Sequence, residues 1–126
     1  MTNELRIELP AEPTSVRLAR QFLVETLGPT PAASRLDDAC LLVSELVSNA
    51  LLHARSCVVV VVSLTQSRVR VDVQDESGLL PRPRRAGPTA VSGRGLEIVE
   101  CLADDWGAEQ IGSGNKRVWF ELLSTS

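Results

Sequence analysis

The sequence lacks any apolar run that approaches the roughly 20 residues needed to cross a bilayer. Its N-terminal stretch, MTNELRIELP, has neither the basic flank nor the apolar core of a signal peptide. We therefore expect a cytoplasmic protein that makes no contact with a membrane.

Cysteine and lysine are both scarce. The three cysteines are an odd number and no CxxC pair occurs, which excludes a disulfide framework and favours buried, reduced thiols. Lys116 is the only lysine, so 12 of the 13 basic residues are arginines. Because the formal net charge is −3, we do not expect non-specific binding to nucleic acid.

Length and hydrophobic patterning indicate one globular domain, 1–126. The 126 residues are 44% hydrophobic, which suits a single core but leaves no room for separate catalytic and regulatory domains. The pattern predicts the order β-α-α-β-β-loop-α-β-β, with a linker at 30–33 and a capping-box-like Ser34 and Asp37 before the second helix. The predicted elements are 5–9, 13–27, 34–54, 56–64, 68–74, 75–93 (the loop), 95–103, 106–111 and 117–122. Two hairpins imply antiparallel pairs, so we predict a two-layer α/β (α+β) sandwich with a mixed, mostly antiparallel sheet and helices on one face.

The second predicted helix carries polar residues on a mainly apolar surface. Glu45, Asn49 and His53 recur at i, i+4 and i+8, which places them along one narrow stripe. Burying an unpaired carboxylate among leucines costs on the order of several kcal/mol. The stripe therefore either faces solvent or meets a partner, such as other polar groups or a ligand with a cation. His53 stands at the helix end, where a side chain can also simply cap backbone carbonyls.

Two glycine-containing segments flank the predicted loop. Asp75-Glu76-Ser77-Gly78 directly follows an alternating strand, where a turn aspartate is common in any protein. Gly93-Arg94-Gly95-Leu96 stands just before the next predicted helix. Glycines there let backbone N–H groups approach an anion, and a helix N-terminus favours negative charge. Each segment taken alone is ordinary loop chemistry.

Several other kinds of site are not supported. The GxGxxG fingerprint is absent because position 98 is isoleucine, and no GxxxxGK[ST] segment occurs. No GxSxG accompanies His53, the only histidine. His53 and Cys57 lack credible third and fourth ligands for zinc.

Three segments, taken together and in order, resemble the GHKL (Bergerat-fold) ATPase superfamily. They are the ExxxNxxxH of 45–53, Asp75-x-Ser77-Gly78, and Gly93-Arg94-Gly95-Leu96. The compact chain, with ADDWG at 103–107 and KRVWF at 116–120, is similar to the anti-sigma-factor serine-protein kinase branch of that superfamily. The likeness runs from about Val16 to Leu122.

The resemblance implies ATP and Mg²⁺ as cofactors and assigns roles to individual residues. Glu45 would act as general base on the attacking hydroxyl. Asn49 would ligate Mg²⁺, and Asp75 would accept a hydrogen bond from the adenine amino group. Residues 79–92 would form a lid over the nucleotide. The other implied nucleotide-binding positions are His53, Ser77, Gly78, Gly93, Arg94, Gly95, Leu96 and Arg117.

Function and partners also follow from the resemblance. It implies a serine/threonine-protein kinase that phosphorylates an anti-anti-sigma (STAS-domain) antagonist and sequesters a sigma factor. Together with the apolar face of the first predicted helix, it also suggests a homodimer. We expect no direct contact with nucleic acid. Two positions depart from the family pattern: Ser77 replaces a common glycine, and Arg117 replaces a threonine that commonly assists adenine binding. Arg117 favours the alternative, a module of the same fold that sequesters proteins and binds ATP weakly or not at all. Two further interpretations have less support in the sequence: a detached sensor histidine kinase domain, and a gyrase-like or chaperone ATPase. The first has no acceptor histidine apart from His53, and the second needs a transducer domain.

Overall fold

The structure, a computed structural model, describes residues 3–53, 57–76, 91–112 and 114–124. Within these ranges the chain forms strands and helices in the predicted order. No helix among them is both long and apolar enough to span a membrane. The elements are β1 (Asn3–Leu9), α1 (Ser15–Leu27), a 3-10 helix (Pro31–Arg35), α2 (Leu36–His53), β2 (Val58–Leu64), β3 (Arg68–Asp75), α3 (Val91–Leu102), β4 (Asp105–Gln110) and β5 (Lys116–Leu123).

The strands make one sheet in the order β1-β2-β3-β5-β4. Every pairing among these described strands is antiparallel, so the sheet that we predicted as mixed has no parallel pair here. The β4–β5 turn contains Gly112 at φ 74° and Gly114 at φ 77°, a left-handed conformation that favours glycine. The α+β fold class, with helices packed on one face of the sheet, is confirmed.

One face of the sheet builds the core together with the helices. Side chains alternate along a strand, so Val58, Val60 and Val62 share this face, and all three are fully buried. The register sets Val62 opposite Val71, and Val71 opposite Phe120 on the next strand. The helices bury an apolar layer against these strands: Ala19, Leu23, Leu27, Leu42, Val43, Leu46, Val47 and Val99.

The opposite face of the sheet is covered by charged side chains around one indole. The Arg70 guanidinium lies 4.2 Å from the centroid of the Trp119 ring, and its Nε donates to Asp72 Oδ1 at 3.0 Å. Burial raises the pKa of the Asp72 carboxyl, and the hydrogen bond from Arg70 opposes that shift. The Arg70 guanidinium thereby packs on the Trp119 ring while it pairs with Asp72.

The segment that we predicted as a linker is instead the 3-10 helix Pro31–Arg35. Thr30 caps it by accepting from the Ala32 N–H at 3.1 Å. Ser34 does not cap α2 as we predicted, because its hydroxyl donates back to Pro31 O at 3.3 Å. Proline at the first helical position favours this early turn. This segment has no repeating apolar pattern from which the 3-10 helix could have been predicted.

Arg35 ties the start of α2 to the far end of the chain. Its Nη1 donates to Leu123 O at 2.8 Å and to Asp104 Oδ2 at 3.2 Å. Asp104 Oδ2 also accepts from the Leu123 N–H at 2.7 Å. Since Asp104 follows α3, these bonds place the end of α3 beside the beginning of α2.

Candidate functional site

The polar stripe of α2 lies at the border between core and solvent. Glu45 and Asn49 are half-buried, whereas Leu46 and Val47 beside them are fully or almost fully buried. On the solvent side, Ser48 is exposed. The stripe is therefore neither fully buried nor fully exposed. Its two half-buried side chains, Glu45 and Asn49, remain accessible to a ligand at the surface of α2. His53 ends α2, and its side chain lies outside the described residues.

Helix α3 packs against α2, and because the chain just after α3 is paired with the residue just before α2, we infer that the two helices run in opposite directions. Their ends meet through the Arg35–Asp104 ion pair at 3.2 Å, and a groove of about 560 Å³ lies between Leu41 on α2 and the C-terminal half of α3. Glu45 is one turn further along α2 than Leu41. The antiparallel packing thus directs the start of α3 toward the half of α2 that carries Glu45 and Asn49.

The end of β3 lies at the same end of the molecule. Only residues 54–57 connect α2 to β2, whose Val59 pairs with Gln74 on β3. Asp75 is the last residue of β3, and the chain next enters the described structure at Val91, the first residue of α3. Helix α2, which carries Glu45 and Asn49, packs against β3, which ends at Asp75, and the end of α2 and the end of β3 lie toward the same end of the sheet.

Asp75 is buried and paired with Lys116. These residues stand opposite each other on β3 and β5. Lys116 Nζ is 3.7 Å from Asp75 Oδ2, and the two side chains are 6% and 1% exposed. At this distance the contact is an ion pair rather than a short hydrogen bond. The only lysine of the chain is thus the ion-pair partner of the carboxylate that the family resemblance assigns to adenine binding.

Arg117 is not brought to this site. Side chains alternate along β5, so Arg117 lies on the opposite face of the sheet from Lys116 and Asp75. Its Nη2 and Nε donate to Glu109 Oε1 at 2.6 and 3.0 Å. Its neighbour Lys116, which our sequence reasoning did not single out, is the residue of β5 that faces Asp75. Val118, Phe120 and Leu122 alternate as inward-facing residues on β5. Extending this alternation back by two residues would have predicted that Lys116, and not Arg117, faces inward.

The glycine segments are only partly within the described structure. Ser77, Gly78 and residues 79–90 of the expected lid lie outside it. Helix α3 begins at Val91, earlier than we predicted, so Gly93 and Gly95 are helical residues rather than part of a preceding loop. Only the first four N–H groups of a helix lack an intrahelical partner. The Gly93 N–H is among those four, and the Gly95 N–H is beyond them. The side chains of Arg94 and Leu96 are outside the description.

The residues present suit a metal ion that is shared with a ligand. In the described ranges, no group of three or more His, Cys, Asp and Glu side chains is arranged to hold a metal. Mg²⁺ bound with a polyphosphate needs only one or two protein ligands, because waters and phosphate oxygens complete its shell. The half-buried amide of Asn49 can supply one such oxygen. The site thus fits a nucleotide-bound Mg²⁺ and does not fit a metal held by the protein alone.

Comparison with known proteins defines the family. Residues 9–122 match the family model of the histidine kinase-like ATPase domain. Because the match covers nearly all of the chain, the protein belongs to this family, and the resemblance to GHKL ATPases is confirmed. Membership of an ATPase family implies that ATP is the nucleotide bound.

Among solved structures, the chain is similar to the RsbU and RsbW domains of Rv1364c from Mycobacterium tuberculosis. The two share 24% sequence identity with a TM-score of 0.72, over 96% of this chain and 32% of that one. At this identity the likeness is one of fold, and the present chain spans about a third of the length of its neighbour. Comparison with curated protein sequences gave no match.

Proposed function

We propose that the protein is an anti-sigma-factor-type serine/threonine kinase that uses Mg²⁺-ATP to phosphorylate a STAS-type antagonist, and that it also sequesters a sigma factor. The observation that carries the proposal is the packing of α2, with half-buried Glu45 and Asn49, against β3, with Asp75 at its end, in a chain of the histidine kinase-like ATPase family. The fold shared with the RsbU and RsbW domains supports this branch of the family.

In the proposed reaction the protein supplies a general base, a metal ligand and a carboxylate that recognises adenine. Glu45 takes the proton of the attacking serine or threonine hydroxyl as the γ-phosphoryl group moves to that oxygen and ADP leaves. Asn49 contributes an amide oxygen to Mg²⁺, which supplies charge neutralisation when bound. Asp75 accepts from the amino group of adenine, and the Gly93 N–H donates to phosphate. Catalysis in this scheme is mainly positioning and electrostatics.

The non-catalytic alternative loses its specific support. It rested on the bulk and charge of Arg117 at the nucleotide, whereas Arg117 is paired with Glu109 on the other face of the sheet. The same module could still act by sequestration alone, and this becomes an outcome of the test below.

The test is phosphotransfer from radiolabelled ATP to purified STAS-domain proteins of the source organism. We expect Glu45→Ala to slow transfer by about 10²- to 10⁴-fold, the usual contribution of a general base, with little change in ATP affinity. Glu97→Gln is the matched control, because Glu97 is an exposed carboxylate on α3. Transfer by Glu45→Ala at the wild-type rate would contradict the assignment. Capture of a STAS protein without any transfer by the wild type would favour sequestration alone.

The apolar face of the first helix, which suggested a homodimer, is covered within this chain, so a homodimer would need another surface. The apolar face of α1 carries Ala19, Leu23 and Leu27, and all three are fully buried within this chain. Sedimentation at tens of micromolar, roughly ordinary assay concentrations, tests whether two copies associate. A monomer under those conditions would exclude the dimer from the partner-switching scheme.

A further inference from the structure

Strand β1 forms one edge of the sheet. Among the described strands it pairs only with β2, so the backbone N–H and C=O groups along its other side meet no described strand. Natural proteins commonly blunt such an edge with a proline, a bulge or an inward-pointing charge, because it can pair with a further strand. β1 has seven residues, none of them proline, and its register with β2 is unbroken. This edge is therefore suited to accept another strand.

Helix α1 covers only one half of β1. Leu5, Ile7 and Leu9 alternate on the face of the sheet that packs against the helices. Leu9 is buried and Ile7 is half-buried, whereas Leu5 is 44% exposed. The apolar layer is therefore open at the start of β1, and a strand added at this edge would cover Leu5.

The charged residues on the other face of β1 do not oppose pairing of the strand with a copy of itself. Glu4, Arg6 and Glu8 alternate in sign, and all three are exposed. Within the described ranges, Arg6 takes part in no ion pair, and Glu4 only accepts a hydrogen bond from Ser63 Oγ at 3.5 Å. Both side chains are thus available to charges on a second molecule.

The antiparallel hydrogen-bond pattern limits how β1 can pair with itself. Residues that stand opposite each other share the same hydrogen-bonding type, and the types alternate along a strand, so the symmetry axis must pass through a residue. An axis at Arg6 would set Arg6 opposite Arg6 and Glu4 opposite Glu8, which are like charges. An axis at Leu5 sets Leu5 opposite Leu5 and each Glu4 opposite an Arg6.

An axis at Ile7 is less suitable than one at Leu5. It would also pair opposite charges, Arg6 with Glu8, but it would set Leu5 against Leu9, which its own chain already buries. It would also bring the second strand up to Pro10, where β1 has ended and where no N–H can donate. The axis at Leu5 avoids both problems.

We propose that β1 pairs antiparallel with β1 of a second copy of this chain, about an axis at Leu5. This edge is then the surface of the proposed homodimer, on which the inference rests. The sheets of the two copies become continuous, and the two Leu5 side chains cover each other. A Glu4–Arg6 pair lies on either side of the axis, because each contact of a two-fold interface occurs twice.

The experiment is fluorescence-detected sedimentation at low ionic strength, where exposed charges are least screened. Glu4→Arg and Arg6→Glu each set like charges opposite each other on both sides of the axis. Each should raise the dissociation constant of the dimer by about tenfold or more. An equimolar mixture of the two variants should associate as the wild type does, because two arginines of one chain then face two glutamates of the other. Circular dichroism checks that each variant is folded.

Glu8→Arg is the matched control. It changes the net charge as Glu4→Arg does, on the same face of β1, but Glu8 lies outside the paired segment 3–7, so association should equal that of the wild type. If the wild type dimerises and both single variants do so equally well, the β1 edge is refuted and the homodimer uses another surface. A mixture that fails to recover, or weakened association of Glu8→Arg, would refute the axis at Leu5. A monomeric wild type would refute the homodimer and this inference together, while phosphotransfer keeps its own test.

Discussion

Substitution of Gly107 by alanine should destabilise the sheet through its contact with Trp119. Gly107 and Trp119 are paired on β4 and β5, and a Cβ on Gly107 would lie 2.8 Å from Trp119 Cζ2. The indole is held from another side by Arg70, 4.2 Å from the ring centroid. Overpacking of this kind costs about 1–3 kcal/mol. Replacing a strand glycine returns about 0.5–1 kcal/mol through the unfolded chain, so we expect a net loss of roughly 1 kcal/mol.

Urea unfolding of four proteins measures how much this contact changes the free energy of unfolding. They are the wild type, Gly107→Ala, Trp119→Leu and the double variant, followed by circular dichroism so that loss of an indole does not remove the signal. Without the Trp119 ring, Gly107→Ala should become neutral or stabilise by up to about 1 kcal/mol. An equal effect of Gly107→Ala in both backgrounds would refute the packing argument, and so would stabilisation of the wild-type background.

Two further outcomes follow from other parts of the structure. Hydrogen bonds from the Leu123 N–H and from Arg35 hold the pKa of Asp104 below its ordinary value. These hydrogen bonds therefore stabilise the folded state fully above the pKa of about 3.9 that Asp104 has in the unfolded chain. The stabilisation is lost as pH falls through the lower pKa of Asp104 in the folded state. Asp104→Asn should cost about 0.5–1 kcal/mol at pH 7 and make stability, measured by urea unfolding, less dependent on pH below 5. Asn49→Ala should abolish Mg²⁺-dependent ATP binding in calorimetry with the fold retained, because alanine is the better helix former. Ser48→Ala, the exposed neighbour, should bind as the wild type does, and an unchanged dissociation constant in Asn49→Ala would remove Asn49 from the site.

Local patterns predicted most of the fold. The valine run and the alternation of β3 specify strands through side-chain burial on a pleated surface, and the short turns specify both hairpins. The pairings of β1 with β2 and of β3 with β5 join segments that are distant in the chain. No turn chemistry reports on such pairings, which is why the parallel component that we expected was an error.

The candidate site was predictable in outline and not in its details. The spacing of Glu45 and Asn49 on one helix face follows from helical geometry, but their half-burial depends on how α3 packs beside α2. Whether Lys116 or Arg117 faces Asp75 is decided by a shift of one residue in register, and such a shift moves every side chain to the other face. Gly93 and Gly95 weaken a helix intrinsically, so the sequence favoured a later start for α3 than the structure has.

The proposed function requires that Asp75 and Asn49 belong to one Mg²⁺-ATP site. Calorimetric titration with ATP, with and without Mg²⁺, tests it directly on the wild type and on Asp75→Asn, with thermal unfolding as the check that both are folded. We expect metal-dependent binding by the wild type and a loss of roughly tenfold or more in a folded Asp75→Asn. Metal-dependent binding of equal strength in both would contradict the placement of the base at Asp75, and no binding by the wild type would contradict the site as a whole.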